Sequence, residues 1–246
     1  MSLLTLDGIG KSFGAIHALT DVSFQVAPGE VVGLMGDNGA GKSTLVKIIA
    51  GNFAPSSGRM LFGDAPAHFL RPVDARAAGI EVVYQDLALA DNLTAAANVF
   101  LGREIRRRIG PFRLLDHRAM AVRASDLFQE LKSETRAGDL VRAMSGGQRQ
   151  AVAIARTRLA DARLILMDEP TAAISVRQVA EVLALINRLR EAGIAVMLIS
   201  HRMPDVFEVC DRVIVLRRGR KVADKRIAES SPHEVTALIT GALEAA

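Results

Sequence analysis

The chain of 246 residues has one cysteine, Cys210, no tryptophan, one tyrosine and nine phenylalanines. A single cysteine excludes an intrachain disulfide and any cluster of thiolate metal ligands, and Cys210 reads as a small core side chain. No stretch approaches the roughly 20 consecutive apolar residues needed to cross a bilayer. The start, Met1-Ser2-Leu3-Leu4-Thr5-Leu6-Asp7, lacks the basic region and long apolar core of a secretion signal. A cytoplasmic location is expected, with docking onto a membrane protein left open. Charge of one sign is also scarce: 31 Lys and Arg against 27 Asp and Glu leave +4. Arginines are spread along the chain, so a small anionic ligand satisfies this balance. No internal repeat or low-complexity tract is present. What the chain has in quantity is apolar residues, 50% of the total. That suffices for a sizeable core in one large α/β domain or a domain with an inserted lobe.

The chain is organised around Gly36-Asp37-Asn38-Gly39-Ala40-Gly41-Lys42-Ser43-Thr44. The run Val31-Val32-Gly33-Leu34-Met35 before it reads as a buried strand, and Leu45, Ile48 and Ile49 after it fall on one helix face. With Gly36, Gly41, Lys42 and Ser43 in place this is a Walker A P-loop. Its glycines let successive N–H groups approach phosphate oxygens, and the helix start adds its dipole. Lys42 can reach the β- and γ-phosphates, and the Ser43 hydroxyl is placed to ligate Mg²⁺.

Before this turn, Leu4, Leu6, Val22, Phe24 and Val26 alternate with polar residues, as in half-buried antiparallel strands. Ala27-Pro28-Gly29-Glu30 suits a type II turn. Phe13, in Lys11-Ser12-Phe13-Gly14 between these strands, has two readings: a platform for an adenine ring, or ordinary core. After the P-loop helix Gly51 suits a C-cap, and Pro55-Ser56-Ser57-Gly58 marks a loop. Glu81-Val82-Val83-Tyr84 reads as a strand ending at Gln85, on the rim where α/β sheets bind ligands. From about Asp86 to Arg142 the strand pattern disappears, and Met120, Ala124, Leu127, Phe128 and Leu131 recur at helical spacing, so a mostly helical insertion is expected. The local cluster Arg103, Arg106, Arg107 and Arg108 lacks interleaved aromatics and reads as a solvated face; no nucleic-acid partner is expected.

Ser145-Gly146-Gly147-Gln148 fits a capping box at a helix start. Two glycines in a first turn are poor for helix stability, by about 1 kcal/mol each relative to Ala, and suit a second anion site. One P-loop and a second anion-binding helix start must meet on one nucleotide or belong to two chains. Leu164-Ile165-Leu166-Met167 then Asp168-Glu169-Pro170 is a Walker B arrangement: Asp168 holds the Mg²⁺ shell and Glu169 can point at an attacking water. Ile194 to Ile199 forms another buried strand, with Ser200 and His201 at its end on the same rim. Arg217-Arg218-Gly219-Arg220 reads as a hairpin turn, and Ser231-Pro232 as a capped helix start.

The order Phe13, P-loop, Gln85, Met144-Ser145-Gly146-Gly147-Gln148, Asp168-Glu169, His201 resembles the ATP-binding cassette (ABC) ATPases over essentially the whole chain. In detail, Val83-Tyr84-Gln85-Asp86, Glu169-Pro170-Thr171-Ala172-Ala173 and His201-Arg202-Met203 are similar to the subunits that drive bacterial import of monosaccharides such as ribose, xylose or fructose. The resemblance implies a P-loop NTPase (RecA-like) α/β core with an antiparallel β subdomain, over 1–85 and 156–246, and an inserted α-helical subdomain over 86–155. It implies adenine stacking by Phe13; phosphate and metal binding by Gly36, Asn38, Gly39, Ala40, Gly41, Lys42, Ser43 and Thr44; and a metal shell of Ser43, Gln85 and Asp168. Glu169 is then the general base, His201 the γ-phosphate switch, and Gln85 the link between the metal site and a transmembrane partner. Ser145, Gly147 and Gln148 would contact ATP held by a second copy in a head-to-tail dimer. Permease subunits and, indirectly, a periplasmic sugar-binding protein are the further partners implied, at the cytoplasmic face of a bacterial inner membrane. ATP and Mg²⁺ are the implied cofactors. A different cargo, or a non-transport cassette, is the alternative. Met144 and Ser175 depart from the family pattern, which has leucine and often aspartate at these places; the change at Ser175 bears on coupling between the two sites.

Overall fold

A continuous apolar run without polar alternation belongs in a strand buried on both faces, and the parallel sheet of this chain is made of such runs. The computed structural model describes residues 2–159, 161–172 and 174–243; Ala173, the last residue of the Glu169–Ala173 motif, lies outside them. In chain order, β1 (Leu4–Phe13) and β2 (Ile16–Val26) form a hairpin, β3 (Val31–Gly36) leads through the glycine turn into α1 (Lys42–Ile49), and β4 (Ser57–Phe62) and β5 (Ala65–Pro66) return to the hairpin. Next come α2 (Pro72–Ala77), β6 (Ile80–Val83), α3 (Ala95–Val99), β7 (Arg106–Ile109), β8 (Phe112–Leu115), α4 (His117–Glu130) and α5 (Gly146–Arg158). The remainder is β9 (Leu164–Asp168), α6 (Val176–Glu191), β10 (Ala195–Ile199), α7 (Met203–Val209), β11 (Arg212–Arg217), β12 (Arg220–Arg226) and α8 (Pro232–Thr240).

The main sheet runs β12-β11-β3-β10-β9-β6, parallel throughout except for the β11–β12 hairpin. A second, antiparallel sheet runs β2-β1-β4-β5. Alternation along each parallel strand sorts its side chains into two cores. Val32, Leu34, Leu164, Leu166, Met197 and Ile214 join α1 and the antiparallel sheet in one. Val31, Met35, Ile165, Met167, Leu198 and Val215 join α4, α5, α6 and α7 in the other. The helical insertion thus packs into the same apolar cluster as one face of the sheet.

Most of the sequence reading holds. Leu4 and Leu6 pair with Val26 and Phe24 across the antiparallel hairpin. Gly29, at φ 68, closes the expected turn, with the Glu30 N–H donating to the Ala27 carbonyl at 3.3 Å. Gly51, at φ 74, follows the C-cap residue Ala50 of α1. Three points differ. Lys11, Ser12 and Phe13 are the end of β1, not a connection between strands. Ser57 and Gly58 open β4 instead of lying in a loop. The insertion also contains a β-hairpin, β7–β8, where the strand pattern disappears in the sequence. The cause is that its strands are four residues long and the side chains described on them are exposed, so no buried face imposes an apolar period of two. Gly110, at φ 59 and followed by Pro111, supplies the positive φ that a two-residue hairpin turn needs at its first central position.

Leu198 is fully buried on β10, in the middle of the main sheet. Leu198→Ala is expected to lower stability by about 2–5 kcal/mol in urea titration. By contrast Val176→Ala, at a residue 85% exposed, is expected to change it by less than about 0.5 kcal/mol.

Candidate functional site

Parallel strands end on the same rim. Gly36 ends β3, Asp168 ends β9, His201 follows β10 by two residues and Gln85 follows β6 by two. Register ties these ends together, with Ile199 opposite both Leu34 and Asp168, and Val83 opposite Met167. A cleft of roughly 920 Å³ opens there, and it is lined by Gly36 through Thr44 together with Gln85, Asp168, Glu169 and His201.

The glycine turn is shaped for close backbone approach. A Cβ on Gly36, at φ 154, would stand 2.3 Å from the Leu216 carbonyl oxygen, and one on Gly41, at φ 102, would stand 2.9 Å from that of Ala18. Gly41 is also the N-cap of α1 and offers no side-chain acceptor, which leaves the first-turn N–H groups of that helix free to face an anion. Lys42 Nζ donates to the carbonyls of Gly36 at 2.6 Å and Asp37 at 3.0 Å, bracing the loop across its own mouth.

Charge in the cleft is poorly solvated. Burial lowers the pKa of Lys42 below the usual lysine value, although Glu169, Asp37 and Asp168 pull it up. Burial likewise raises Asp168 above the usual carboxylate range, and the neighbouring Glu169 adds to the rise, against the pull of Lys42 and Lys47. In both groups desolvation outweighs the attraction between them. His201 Nδ1 lies 2.8 Å from Glu169 Oε2 without hydrogen-bond alignment. Glu169 itself sits at φ 51, in the left-handed region.

Ser145, Gly147 and Gln148 are elsewhere. They line a separate cleft of roughly 740 Å³ with Ser175, Gln178 and Glu181. The expected capping box is present: Gln148 N–H donates to Ser145 Oγ at 3.3 Å, and Ser145 N–H to Gln148 Oε1 at 2.9 Å. The first turn also packs closely: a Cβ on Gly147 would meet Glu181 Oε2, the tip of a flexible side chain on α6, at 2.4 Å, and one on Gly146 would meet Ile174 Cγ2, just before α6, at 2.8 Å. Ser175 caps α6 in the same way, accepting from Gln178 N–H, and Met144 is buried in the helical core.

Phe13 is not core: it is 47% exposed, edge-on to Phe53 with centroids 5.5 Å apart. It does not line the P-loop cleft; Ile16, His17 and Ala18 at the start of β2 do, with Arg218 and Gly219 from the β11–β12 turn. Sequence reasoning overlooked these five. Ile16 to Ala18 carry no local signal, whereas the basic Arg217-Arg218-Gly219-Arg220 turn follows a strand parallel to β3 and could have been placed beside the glycine loop. Among the described residues no three His, Cys, Asp or Glu side chains converge as a metal cage.

With its pKa lowered, Lys42 loses its proton at a lower pH than an ordinary lysine. Acylation followed by peptide mapping, as pH is raised from neutral, is expected to label Lys42 at lower pH than the lysine of an added unstructured peptide; labelling in step with that peptide would contradict the effect of burial.

Comparison with known proteins fits this geometry. The ABC transporter family matches residues 19–172. Over 247 residues the chain is 42% identical to the fructose import ATP-binding protein FrcA of Rhizobium meliloti, covering 98% of this chain and 95% of that one. It is 44% identical over 241 residues to the xylose/arabinose import ATP-binding protein XylG of Sulfolobus acidocaldarius, covering 97% and 94%. A dimeric post-hydrolysis structure of the ATP-binding cassette MJ0796, bound to ADP and Pi, matches with a TM-score of 0.74 and 27% identity, over 91% of this chain and 98% of that one. A P-loop on the rim of a parallel sheet, a Walker B carboxylate pair beside it, and these likenesses lead to one conclusion: the chain belongs to the ABC transporter family and is one of its ATPases.

Proposed function

We propose that the chain is the ATP-hydrolysing subunit of a bacterial importer of a monosaccharide of the fructose, ribose or xylose kind, working as a head-to-tail dimer beneath a pair of permease subunits. The observation that carries the dimer is the division of the site into two clefts, one holding Lys42, Asp168, Glu169 and His201 and the other Ser145, Gly147 and Gln148. A nucleotide whose phosphates lie on the P-loop of one copy is then closed off by the second cleft of another. Near-complete alignment with sugar-import ATP-binding proteins supports the cargo class.

In this reading the first-turn N–H groups of α1 and Lys42 hold the phosphates, and loss of the Lys42 contacts to Gly36 and Asp37 accompanies their arrival. The base is assigned to the β1–β2 turn, where Phe13 and Ile16 are the exposed apolar side chains. Ser43, Gln85 and Asp168 offer a hydroxyl, an amide and a carboxylate around one cleft, a hard oxygen set suited to Mg²⁺, which would neutralise phosphate charge. Glu169 takes the proton of the attacking water, and His201, 2.8 Å from it, faces the γ-phosphate. Residues 86–155 act as the lobe that carries closure to the permease. The exposed Tyr84 and Leu101, beside Leu87 in a groove next to Gln85, fit a docking place for it. No helix among the described residues is long and apolar enough to cross a membrane, in keeping with a peripheral position at the cytoplasmic face. A periplasmic sugar-binding protein would act through the permease.

Three outcomes test this. Glu169→Gln is expected to lower ATP turnover by about 10²–10⁴-fold while an ATP-bound dimer accumulates; normal turnover would remove Glu169 as the base. Lys42→Ala and Ser145→Arg, each inactive alone, should regain roughly a quarter of wild-type turnover when mixed, because half the dimers are mixed and each of those has one intact site of two. A mixture that stays inactive would mean that the site is not shared. For cargo, ATPase activity of the purified complex with its permease should rise with a monosaccharide-loaded binding protein; no response to any sugar receptor would leave the ATPase and remove the sugar.

A further inference from the structure

Thr171 and Asp205 are buried polar residues that the reading above does not use. Thr171 is 0% exposed and Asp205 2%. The Thr171 hydroxyl donates to Asp205 Oδ2 at 2.5 Å, and Arg202 Nε lies 3.2 Å from the same oxygen. Thr171 stands two residues after Glu169, whereas Asp205 lies in the first turn of α7, four residues after His201. The bond therefore spans the two segments that bring those side chains into the cleft.

The backbone of Glu169 needs such support. Its φ of 51 lies where a side chain clashes with its own carbonyl, and the following Pro170 further restricts it. Conformations of this kind cost on the order of 1–3 kcal/mol and persist only where surrounding contacts hold them. Two contacts hold the segment here. At its front the Glu169 N–H donates to the Ile199 carbonyl at 2.9 Å, at the end of β10. At its back Thr171 is fastened to Asp205. The Ala172 N–H closes the turn between them by donating to the Glu169 carbonyl at 3.1 Å. Both anchors lie on the β10–α7 corner that carries His201, and Ser200, 0% exposed, stiffens that corner by accepting from the Arg202 N–H at 3.0 Å.

We infer that Thr171 and Asp205 form a positioning strap for catalysis, holding the Glu169 turn against the His201 corner so that the two side chains meet the same γ-phosphate. The chemistry of the pair favours this role over a purely structural one. A buried carboxylate and hydroxyl can be replaced by apolar residues of similar size at little or no loss of stability, whereas no apolar pair fixes the direction in which the turn is tied. Displacement by about 1 Å in a catalytic array is enough to cost on the order of 100-fold in rate.

The inference rests on Glu169 acting as the base, and the test separates the two ideas. ATP turnover, ATP affinity by a fluorescent analogue, and thermal unfolding would be measured for wild type, Glu169→Gln, Thr171→Val, Thr171→Ser and the double variant Thr171→Val/Asp205→Leu. Thr171→Val is expected to lose about tenfold or more in kcat with KM for ATP within about twofold, and Thr171→Ser, which keeps the hydroxyl, to restore it. The double variant removes the buried carboxylate that Thr171→Val leaves without its hydroxyl partner; it should regain thermal stability yet keep the low kcat. Recovery of kcat together with stability would show that the pair serves only the fold, and near wild-type kcat in Thr171→Val would overturn the strap outright. If Thr171→Val does not fold, the double variant against Thr171→Ser decides by the same criterion. A Glu169→Gln variant with normal turnover would instead overturn the assignment of the base, and the strap with it.

Discussion

Four parallel strands that finish on one rim are the constraint on which the rest of this protein depends. Because β3, β10, β9 and β6 run in the same direction, Gly36, His201, Asp168 and Gln85, distant in the chain, arrive within one cleft. A sheet with one of these strands reversed would carry its rim residue to the opposite edge. Parallel strands buried on both faces demand continuous apolar runs and a helix cover on each side, and the two apolar clusters on either face of the sheet meet that demand.

Within the cleft, charge is held at the expense of hydration. Lys42 and Asp168 are each moved toward their neutral forms by burial despite lying in one site. Such groups gain most from a ligand that completes their charge pairing, as the phosphates of ATP do for a lysine. The same cleft contains Glu169 in the left-handed region.

Some of this was legible in the amino-acid order alone. The glycine turn, the Walker B pair, the capping box at Ser145 and the hairpin at Gly219 are local patterns whose physical cause lies within a few residues, and each is present. The β7–β8 hairpin escaped because exposed strands leave no apolar alternation. Phe13 carried two readings because its surroundings, the edge-on contact with Phe53 among them, come from forty residues away in the chain. The glycines at 146 and 147 pointed to an anion, and the structure adds that the side chains of Ile174 and Glu181 approach them closely. The part of Ile16, His17 and Arg218 in lining the cleft comes from elements far apart in sequence, and no local signal reports such a meeting.

The sequence by itself determined the chemistry available: a phosphate-binding turn, a carboxylate pair, a rim histidine and a second glycine-rich helix start, because residue type and short-range spacing suffice for those. Only the tertiary structure decided which of them share a cleft and which do not. It joined Lys42, Asp168, Glu169 and His201 through strand direction and register, kept Ser145 apart on α5, and tied Thr171 to Asp205 across 34 positions. Distance along the chain carries no information about such contacts; packing of the two apolar faces of one sheet creates them.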